Sequence, residues 1–234
     1  ADQRLRIGVI GAGLWSTIAH IPDFRQTGQA EVVAICRRNQ ERLAMIQEKF
    51  QIPAAYTDWQ VMLEQAALDA VVVSTPHHLH AEPTIAALRR GVHVLVEKPM
   101  ALRSEDARAM VAAATQAERV LMVGYNARLK AVWRSAQQLL QEGAIGQLRQ
   151  VNLQGSLHRR WYWEEKRIPD HFLVGSKRAM GVPDAYFDNF LDGDWHGDPV
   201  ASGGGMFSNS GAHWVNLVLW LAAAPPAEIV AFGE

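Results

Sequence analysis

The sequence predicts an α/β protein with a doubly wound parallel sheet in its first half and an α+β domain after it. Three observations predict this fold. Short apolar runs of strand length alternate with helical spacing up to Gly124, the first run ends at a Gly-x-Gly turn, and the alternation is lost beyond Gly124. Continuous apolar strands between helices are typical of a parallel sheet covered on both faces. We therefore place one domain over residues 1–123 and a second over residues 124–234.

The elements of the first domain follow from the positions of apolar residues and of helix and strand breakers. Strands are predicted at residues 5–10, 32–36, 71–74, 92–96 and 120–123. Helices are predicted at residues 15–26, 40–50 and 83–90, and from residue 104 onward. Pro76 follows the end of the third strand, and Gly91 ends the helix before the fourth. Glu105 and Asp106 place negative charge in the first turn of the helix that Ser104 begins, where the helix dipole favours it.

The second domain has a weaker pattern. A helix is predicted at residues 130–141, and polar–apolar alternation predicts a half-exposed strand at residues 150–156. Residues 157–202 show little periodicity, which is typical of a functional or disordered loop. A further apolar helix at residues 209–221 and a last strand at residues 228–232 complete the pattern.

Composition excludes several classes of protein. The 234 residues are 49% hydrophobic with a net charge of −1, which disfavours a disordered chain and a nucleic-acid-binding surface. No apolar run reaches the roughly 18 residues that a membrane span needs. Cys36 is the single cysteine, so no intrachain disulfide can form. Together with the absence of a visible signal peptide, these features predict a cytoplasmic protein.

A glycine-rich turn follows the first strand and opens the first helix. In Gly11-Ala12-Gly13-Leu14-Trp15-Ser16, the first glycine permits a tight turn and the second lets backbone approach a pyrophosphate at a helix N-terminus. Ser16 stands where a third glycine is usual and is still small enough for close packing. We therefore expect Gly11, Gly13, Leu14 and Trp15 to line a dinucleotide site. The alternative is a tight turn without a ligand.

Two arginines follow the second strand, where an acidic residue would hydrogen-bond a ribose 2′-hydroxyl. Arg37 and Arg38 instead offer two guanidinium groups that suit a 2′-phosphate. The sequence therefore favours NADP over NAD as cofactor, with NAD possible. A solvated arginine pair on a surface loop is the alternative.

A lysine follows the fourth strand, at the sheet edge where ligands of open α/β sheets bind. Pro99 stiffens the backbone directly behind Lys98, and a cis peptide bond between them would aim the lysine inward. A cofactor turn and a lysine on one sheet edge indicate redox chemistry on a polar substrate. A plain solvated lysine is the alternative. His20, on the first helix, is interpreted as a packing residue.

These motifs resemble those of the glucose-fructose oxidoreductase/inositol dehydrogenase/rhizopine catabolism family, abbreviated Gfo/Idh/MocA. The matching segments are the Gly11/Gly13 turn, residues 74–82, Glu97-Lys98-Pro99, residues 123–126, and residues 203–205 with Gly211 and His213. The resemblance implies a Rossmann domain and a C-terminal domain whose open mixed sheet commonly forms oligomer contacts, hence a homo-oligomer, either dimer or tetramer. It also implies NAD(P)-dependent oxidation or reduction of sugars, polyols or related compounds.

The resemblance also implies roles for individual residues. Lys98 matches the catalytic or substrate-orienting lysine of the family, and His213 matches its general acid/base. Positions near the cofactor are Ser74, Thr75, Pro76, His77, His80, Glu97, Lys98 and Asn126. His77 stands where the family often has asparagine. We interpret His77, His78 and His80 as residues of a loop and helix start, and expect no metal site.

Two features depart from the family pattern. Asn209 and Asn216 stand where the family usually has aspartates around the histidine. In an α-helix, Asn209 and His213 share one face, and asparagine orients the imidazole without supplying charge. The sequence also ends on the order of a hundred residues before family members usually do, so the second sheet is expected to be truncated.

The substrate is expected to be a carbohydrate-like small molecule held by Lys98, Asn209 and His213. Trp161 and Trp195 lie in the long irregular segment, and indole rings stack well on sugars. Ordinary aromatic packing or an oligomer interface explains them equally well.

Two functions remain open at this point. The first is an NADP-preferring dehydrogenase or reductase acting on CH–OH groups. The second is a non-catalytic dinucleotide-binding sensor or regulator on the same scaffold, which the two asparagines favour. Retention of Lys98 and His213 weighs against the second.

Overall fold

The computed structural model describes residues 4–154, 195, 198–204, 207–228 and 230. The chain forms two compact units. The described residues up to 124, together with those between 195 and 204, belong to the first unit. Residues 125–154 and the described residues from 207 onward belong to the second.

The first unit is built on a six-stranded parallel sheet. The strands are β1 (Leu5–Ile10), β2 (Ala30–Cys36), β3 (Ala54–Tyr56), β4 (Ala70–Val73), β5 (His93–Val96) and β6 (Leu121–Val123). Their spatial order is β3-β2-β1-β4-β5-β6, and every neighbouring pair is parallel. This is the strand order of a dinucleotide-binding Rossmann sheet, which confirms the predicted fold class.

Helices cover both faces of this sheet. They are α1 (Ile21–Thr27), α2 (Gln40–Phe50), α3 (Trp59–Gln65), α4 (Ala81–Arg89) and α5 (Ser104–Ala117). Successive residues of a strand point to opposite faces of the sheet and pack in different cores. Val9 packs in one buried cluster and Ile10 in the other. Burial on both faces explains why the strands are continuously apolar in sequence.

The chain leaves β1 and β4 toward opposite faces of the sheet. Ile21 of α1 packs in the first buried cluster, whereas Leu88 of α4 packs in the second. Because β1 and β4 are adjacent, their carboxyl ends form the crevice in which open α/β sheets bind ligands.

Two elements of the first unit were not predicted, and one differs from the prediction. Strand β3 is only three residues long and contains two alanines, so it gives almost no hydrophobic signal. Helix α3 is short and begins after Asp58, whose side chain accepts a hydrogen bond from the backbone N–H of Gln60. The helix predicted at residues 15–26 is a π-helical turn, Ser16–His20, followed by α1.

The second unit contains helix α6 (Ala131–Gln141), as predicted. After α7 (Pro199–Ser202), which belongs to the first unit, a π-helical turn at Phe207–Gly211 leads into α8 (Ala212–Ala222). Gln137 of α6 donates a hydrogen bond to the Trp220 carbonyl of α8 at 3.3 Å.

The strands predicted for the second domain have two outcomes. At residues 150–154 the prediction is wrong, because the backbone there forms no strand, and residues 155–156 lie outside the described part. The strand predicted at residues 228–232 also lies mainly outside the described part. Among the described helices, none combines the length and apolar character needed to cross a membrane.

Candidate active site

The glycine-rich turn joins the carboxyl ends of three strands. Gly11 has a φ of +87°, and a Cβ there would lie 2.6 Å from the backbone carbon and oxygen of Ser74. The N–H groups of Gly11 and Ala12 both donate to the Cys36 carbonyl at 3.0 Å. Only glycine suits this position, because both the backbone conformation and the contact with Ser74 exclude a side chain.

Gly13 meets a different environment. A Cβ at this residue would lie 3.8 Å from Nη1 of Arg37 and 3.9 Å from the Gly11 carbonyl oxygen, which are ordinary van der Waals contacts, so the position is far less crowded than Gly11. Ser16 is fully buried and donates from Oγ to the Gly11 carbonyl at 3.0 Å, which confirms the close packing expected of it. Backbone without a side chain at the start of a helix fits the pyrophosphate of a dinucleotide. Leu14 packs against the core, while Trp15 is 43% exposed.

The two arginines after β2 have different environments. Arg37 is half-buried, and its Nη1 donates to the Ala12 carbonyl at 2.7 Å, so it holds the glycine-rich turn. Arg38 is exposed at the end of the same strand. No local pattern in the sequence predicts that Arg37 holds the turn while Arg38 is exposed.

Lys98 follows β5 and is half-buried, and its peptide bond to Pro99 is cis. Glu97, the preceding residue, donates from its N–H to the Val73 carbonyl at 2.8 Å. The Glu97 carboxylate lies 2.8 Å from Nε2 of His20. Burial raises the pKa of this carboxyl, but the hydrogen bond and charge of His20 and the positive charge of Lys98 outweigh burial and lower the pKa. Glu97 is therefore ionised at neutral pH.

His80 connects the loop after β4 with the turn after β5. Its ring is fully buried, with Nδ1 2.8 Å from the Pro99 carbonyl and Nε2 2.9 Å from the Thr75 carbonyl. Burial lowers the pKa of His80, against the effect of the two carbonyl contacts. A neutral imidazole carries one N–H, so it donates to only one of these oxygens at a time. Its ring is thus engaged with backbone on both sides.

His77 packs under an aromatic residue from the second half of the sequence. Its Nδ1 donates to the Ser202 carbonyl at 3.0 Å, and its ring meets Trp195 edge-on at 4.6 Å between centroids. Beside it, Nδ1 of the exposed His78 lies 3.3 Å from the Ala201 carbonyl. Burial lowers the pKa of His77 to about 4, despite the opposing hydrogen bond to Ser202. The neutral His77 ring therefore holds the described segment around α7 against the loop after β4.

Acidification is expected to destabilise the protein through His77. Its folded-state pKa of about 4 lies below its ordinary value of 6.5, so its contribution is complete above pH 6.5 and is lost as the pH falls toward 4. Between pH 7 and pH 5 this loss amounts to about 2 kcal/mol of the free energy of unfolding. His77→Asn should remove that part of the pH dependence in urea denaturation, whereas His78→Asn should keep it. Equal pH dependence in the parent and His77→Asn would contradict the assignment.

The second unit holds the remaining predicted residues. Asn209 is buried within the π-helical turn, and His213 is the second residue of α8. The single α-helix predicted for this segment is wrong, so the i, i+4 relation of an α-helix does not apply to this pair. The His213 ring lies edge-on to Tyr125 with centroids 6.0 Å apart. Burial raises the pKa of Tyr125, so its hydroxyl stays protonated at neutral pH.

The predicted site residues are divided between the two units of the chain, except for one that lies outside the described residues. The first unit gathers Gly11, Gly13, Leu14, Trp15, Arg37, Arg38, Ser74, Thr75, Pro76, His77, His80, Glu97, Lys98 and Trp195. The second unit carries Asn126, which is exposed, with Asn209 and His213. Trp161 lies outside the described residues. The roles assigned to all of these residues remain predictions.

Sequence reasoning missed two contacts. Tyr125 was part of a matching motif but was given no role beside His213, and His20 was interpreted as packing alone. No local pattern marks the His20–Glu97 contact, because 77 residues separate the partners. The described residues contain no group of three or more histidine, cysteine, aspartate or glutamate side chains that could hold a metal ion.

The strand order, the glycine-rich turn and the crevice beside it define a dinucleotide-binding domain of the Rossmann class. Residues 5–125 match a family model described as "Oxidoreductase family, NAD-binding Rossmann fold", and residues 133–234 match the "GFO/IDH/MocA C-terminal domain". The chain therefore belongs to the Gfo/Idh/MocA oxidoreductase family, which confirms the resemblance seen in its motifs. The match also supports a nicotinamide cofactor.

The chain is also similar to individual oxidoreductases, both in sequence and in structure. A 1,5-anhydro-D-fructose reductase of Ensifer adhaerens is 42% identical over 144 residues, which cover 60% of this chain and 42% of the reductase. An oxidoreductase of Agrobacterium radiobacter in complex with NAD+, L-tartaric acid and magnesium is 28% identical, with a TM-score of 0.59, over 62% of this chain and 42% of that one. An oxidoreductase domain protein of Kribbella flavida, also 28% identical, has a TM-score of 0.73 over 94% of this chain and 54% of that one. The matches thus span about half or less of each relative.

Proposed function

We propose that this chain carries the cofactor-binding domain and part of the substrate-binding domain of an NADP(H)-dependent oxidoreductase. Its substrate is a sugar, polyol or related hydroxy compound. The observation that carries the proposal is the glycine-rich turn, with Gly11 packed against Ser74 and Gly13 uncrowded, on the same sheet edge as Lys98. The Ensifer relative, a 1,5-anhydro-D-fructose reductase, supports a carbohydrate-like substrate. The active form is a homo-oligomer, as the family resemblance implies, and its expected location is the cytoplasm.

The chemistry is divided between the cofactor and the protein. A bound nicotinamide supplies hydride exchange with the substrate carbon. Lys98 donates a hydrogen bond to the reacting oxygen and stabilises negative charge on it. His213 takes up the hydroxyl proton in oxidation and returns it in reduction. Asn209 orients the substrate or the imidazole of His213, and Trp195 offers an aromatic face to the sugar.

Arg38 sets the preference for NADP(H) in this proposal. Arg38 is exposed shortly after the end of β2, while the guanidinium of Arg37 donates to the Ala12 carbonyl. A 2′-phosphate is then held by Arg38, and Arg37 acts by holding the turn in shape.

Because Arg38 is proposed to bind the 2′-phosphate and Arg37 to hold the turn, their substitutions should have different effects. Arg38→Ser should weaken NADPH binding by roughly 10- to 100-fold and leave NADH binding nearly unchanged, because only NADPH carries the phosphate. Arg37→Ser should weaken both cofactors by a similar factor. Fluorescence titration measures both affinities, with Arg108→Ser on the exposed face of α5 as control. A parent protein that binds NADH as tightly as NADPH would contradict the cofactor assignment.

A second function, a non-catalytic dinucleotide sensor, is favoured by one observation. Asn209 and Asn216 stand at the two positions around His213 where the family usually has aspartates. A panel of sugars and polyols tested with NADP+ and with NADPH distinguishes the two functions. Turnover with any of them supports the enzyme, whereas tight NADPH binding without turnover across the panel supports the sensor.

A further inference from the structure

We propose that His20 is a positioning residue for Lys98, acting through the carboxylate of Glu97. The hydrogen bond between His20 and Glu97 fixes the backbone that carries Lys98. It also links this backbone to the helical segment after the glycine-rich turn. The proposal rests on the proposed function only in taking Lys98 as the residue that acts on the substrate.

A single carboxylate connects His20 with Lys98. Oε1 of Glu97 lies 2.8 Å from His20 Nε2, and Oε2 accepts the backbone N–H of Lys98 at 3.2 Å. The side chains of His20 and Glu97 are 13% and 12% exposed, so water competes little for these contacts. An ionised carboxylate only accepts hydrogen bonds, so the ring of His20 must donate through Nε2.

The surroundings leave the carboxylate little freedom to move. A Cβ on Gly124 would lie 3.2 Å from both carboxylate oxygens, so this bare backbone closes one side of the group. The Glu97 backbone is itself held by its hydrogen bond to the Val73 carbonyl. The contact with His20 then holds Oε1, the carboxylate oxygen that does not accept the Lys98 N–H.

His20 reaches Glu97 from the element that begins at the cofactor turn. It ends the π-helical turn Ser16–His20, which starts three residues after Gly13, and its ring stacks on Phe24 with centroids 6.5 Å apart. Short π-helical segments inside helices are frequent at functional sites. The contact thus connects the segment proposed to bind the pyrophosphate of the cofactor with the strand end that carries Lys98.

The other neighbour of Lys98 is held by an imidazole as well. Nδ1 of His80 lies 2.8 Å from the Pro99 carbonyl. Residues 97 and 99 each have a histidine ring nitrogen 2.8 Å away, from different parts of the sheet crevice. Such support on both sides is what keeps a catalytic side chain in one geometry.

Three substitutions of His20 distinguish the effect of its N–H donor from the effect of its aromatic packing. His20→Phe keeps an aromatic ring against Phe24 but has no N–H, and His20→Gln keeps an N–H donor of similar reach. His20→Asn carries the same amide as His20→Gln on a side chain one methylene shorter. The first measurement is hydrogen exchange of the Lys98 backbone amide in the cofactor-free protein. We expect exchange about tenfold or more faster in His20→Phe and His20→Asn, and near the parent rate in His20→Gln.

The second measurement is steady-state kinetics with the substrate found by the panel. His20→Phe should lower kcat by about tenfold or more, with little change in KM or in NADPH affinity, and His20→Gln should restore kcat. Cooperative unfolding of His20→Phe will show that this variant is folded. If it is not folded, the same measurements on His20→Asn and His20→Gln test the proposal.

The outcomes bear differently on the two proposals. Unchanged Lys98 exchange in His20→Phe and His20→Asn would overturn the positioning role, as would equal acceleration in all three variants, which indicates packing alone. Altered exchange that His20→Gln reverses supports the role. If the parent protein shows no turnover with any compound of the panel, the proposed enzyme activity is contradicted. Faster Lys98 exchange that His20→Gln reverses would still show that His20 positions Lys98.

Discussion

Replacing Lys98 with methionine is expected to lower kcat for the sugar or polyol substrate by roughly two to three orders of magnitude. Methionine keeps an unbranched apolar stem but removes the ammonium group, which is the hydrogen-bond donor for the reacting oxygen. The loss should appear in kcat rather than in cofactor affinity, because charge on that oxygen develops mainly in the transition state. Initial rates, together with NADPH titration by fluorescence, measure the two quantities separately.

Lys130→Met provides a matched control for this variant. Lys130 is an exposed lysine directly before α6, so its substitution removes the same charge outside the proposed site. Near-normal kcat in Lys98→Met, or an equal loss in Lys130→Met, would remove Lys98 from the mechanism.

The strands of the first domain were predictable because burial on both faces leaves a continuous apolar run in the sequence. Their boundaries agree with the structure to within two residues for all five predicted strands, β1, β2, β4, β5 and β6. Strand β3 was missed, because three residues with two alanines at a sheet edge bury too little apolar surface to mark the sequence. The spatial order of the strands was likewise not readable from a local pattern, since it depends on which face each connection crosses.

The candidate site shows the same division between local and distant contacts. The glycine-rich turn could be predicted because Gly11 and Gly13 act on their own segment. The contact between His77 and Trp195 could not, because it joins residues 118 positions apart (from 77 to 195). Likewise, both asparagines near His213 were visible in the sequence, but the π-helical turn that carries Asn209 was not. Motifs identify the residues of a site, whereas the fold decides which of them meet.

Replacing His213 with glutamine is expected to lower kcat by about a hundredfold or more, through loss of the group that transfers the substrate proton. Glutamine retains hydrogen-bonding capacity but does not titrate near neutral pH, so the limb of the pH–rate profile that reports the imidazole should also disappear. His213 is half-buried beside Tyr125, whose burial-raised pKa keeps its hydroxyl from replacing the histidine as a base at neutral pH.

Trp214→Phe is the control for His213→Gln, because it alters a partly exposed aromatic residue of the same helix without removing a titrating group. The pH–rate profile decides between two explanations of a slower His213→Gln variant. A lower rate with the parent's pH profile would mean that the imidazole only packs against Tyr125 and that another group moves the proton.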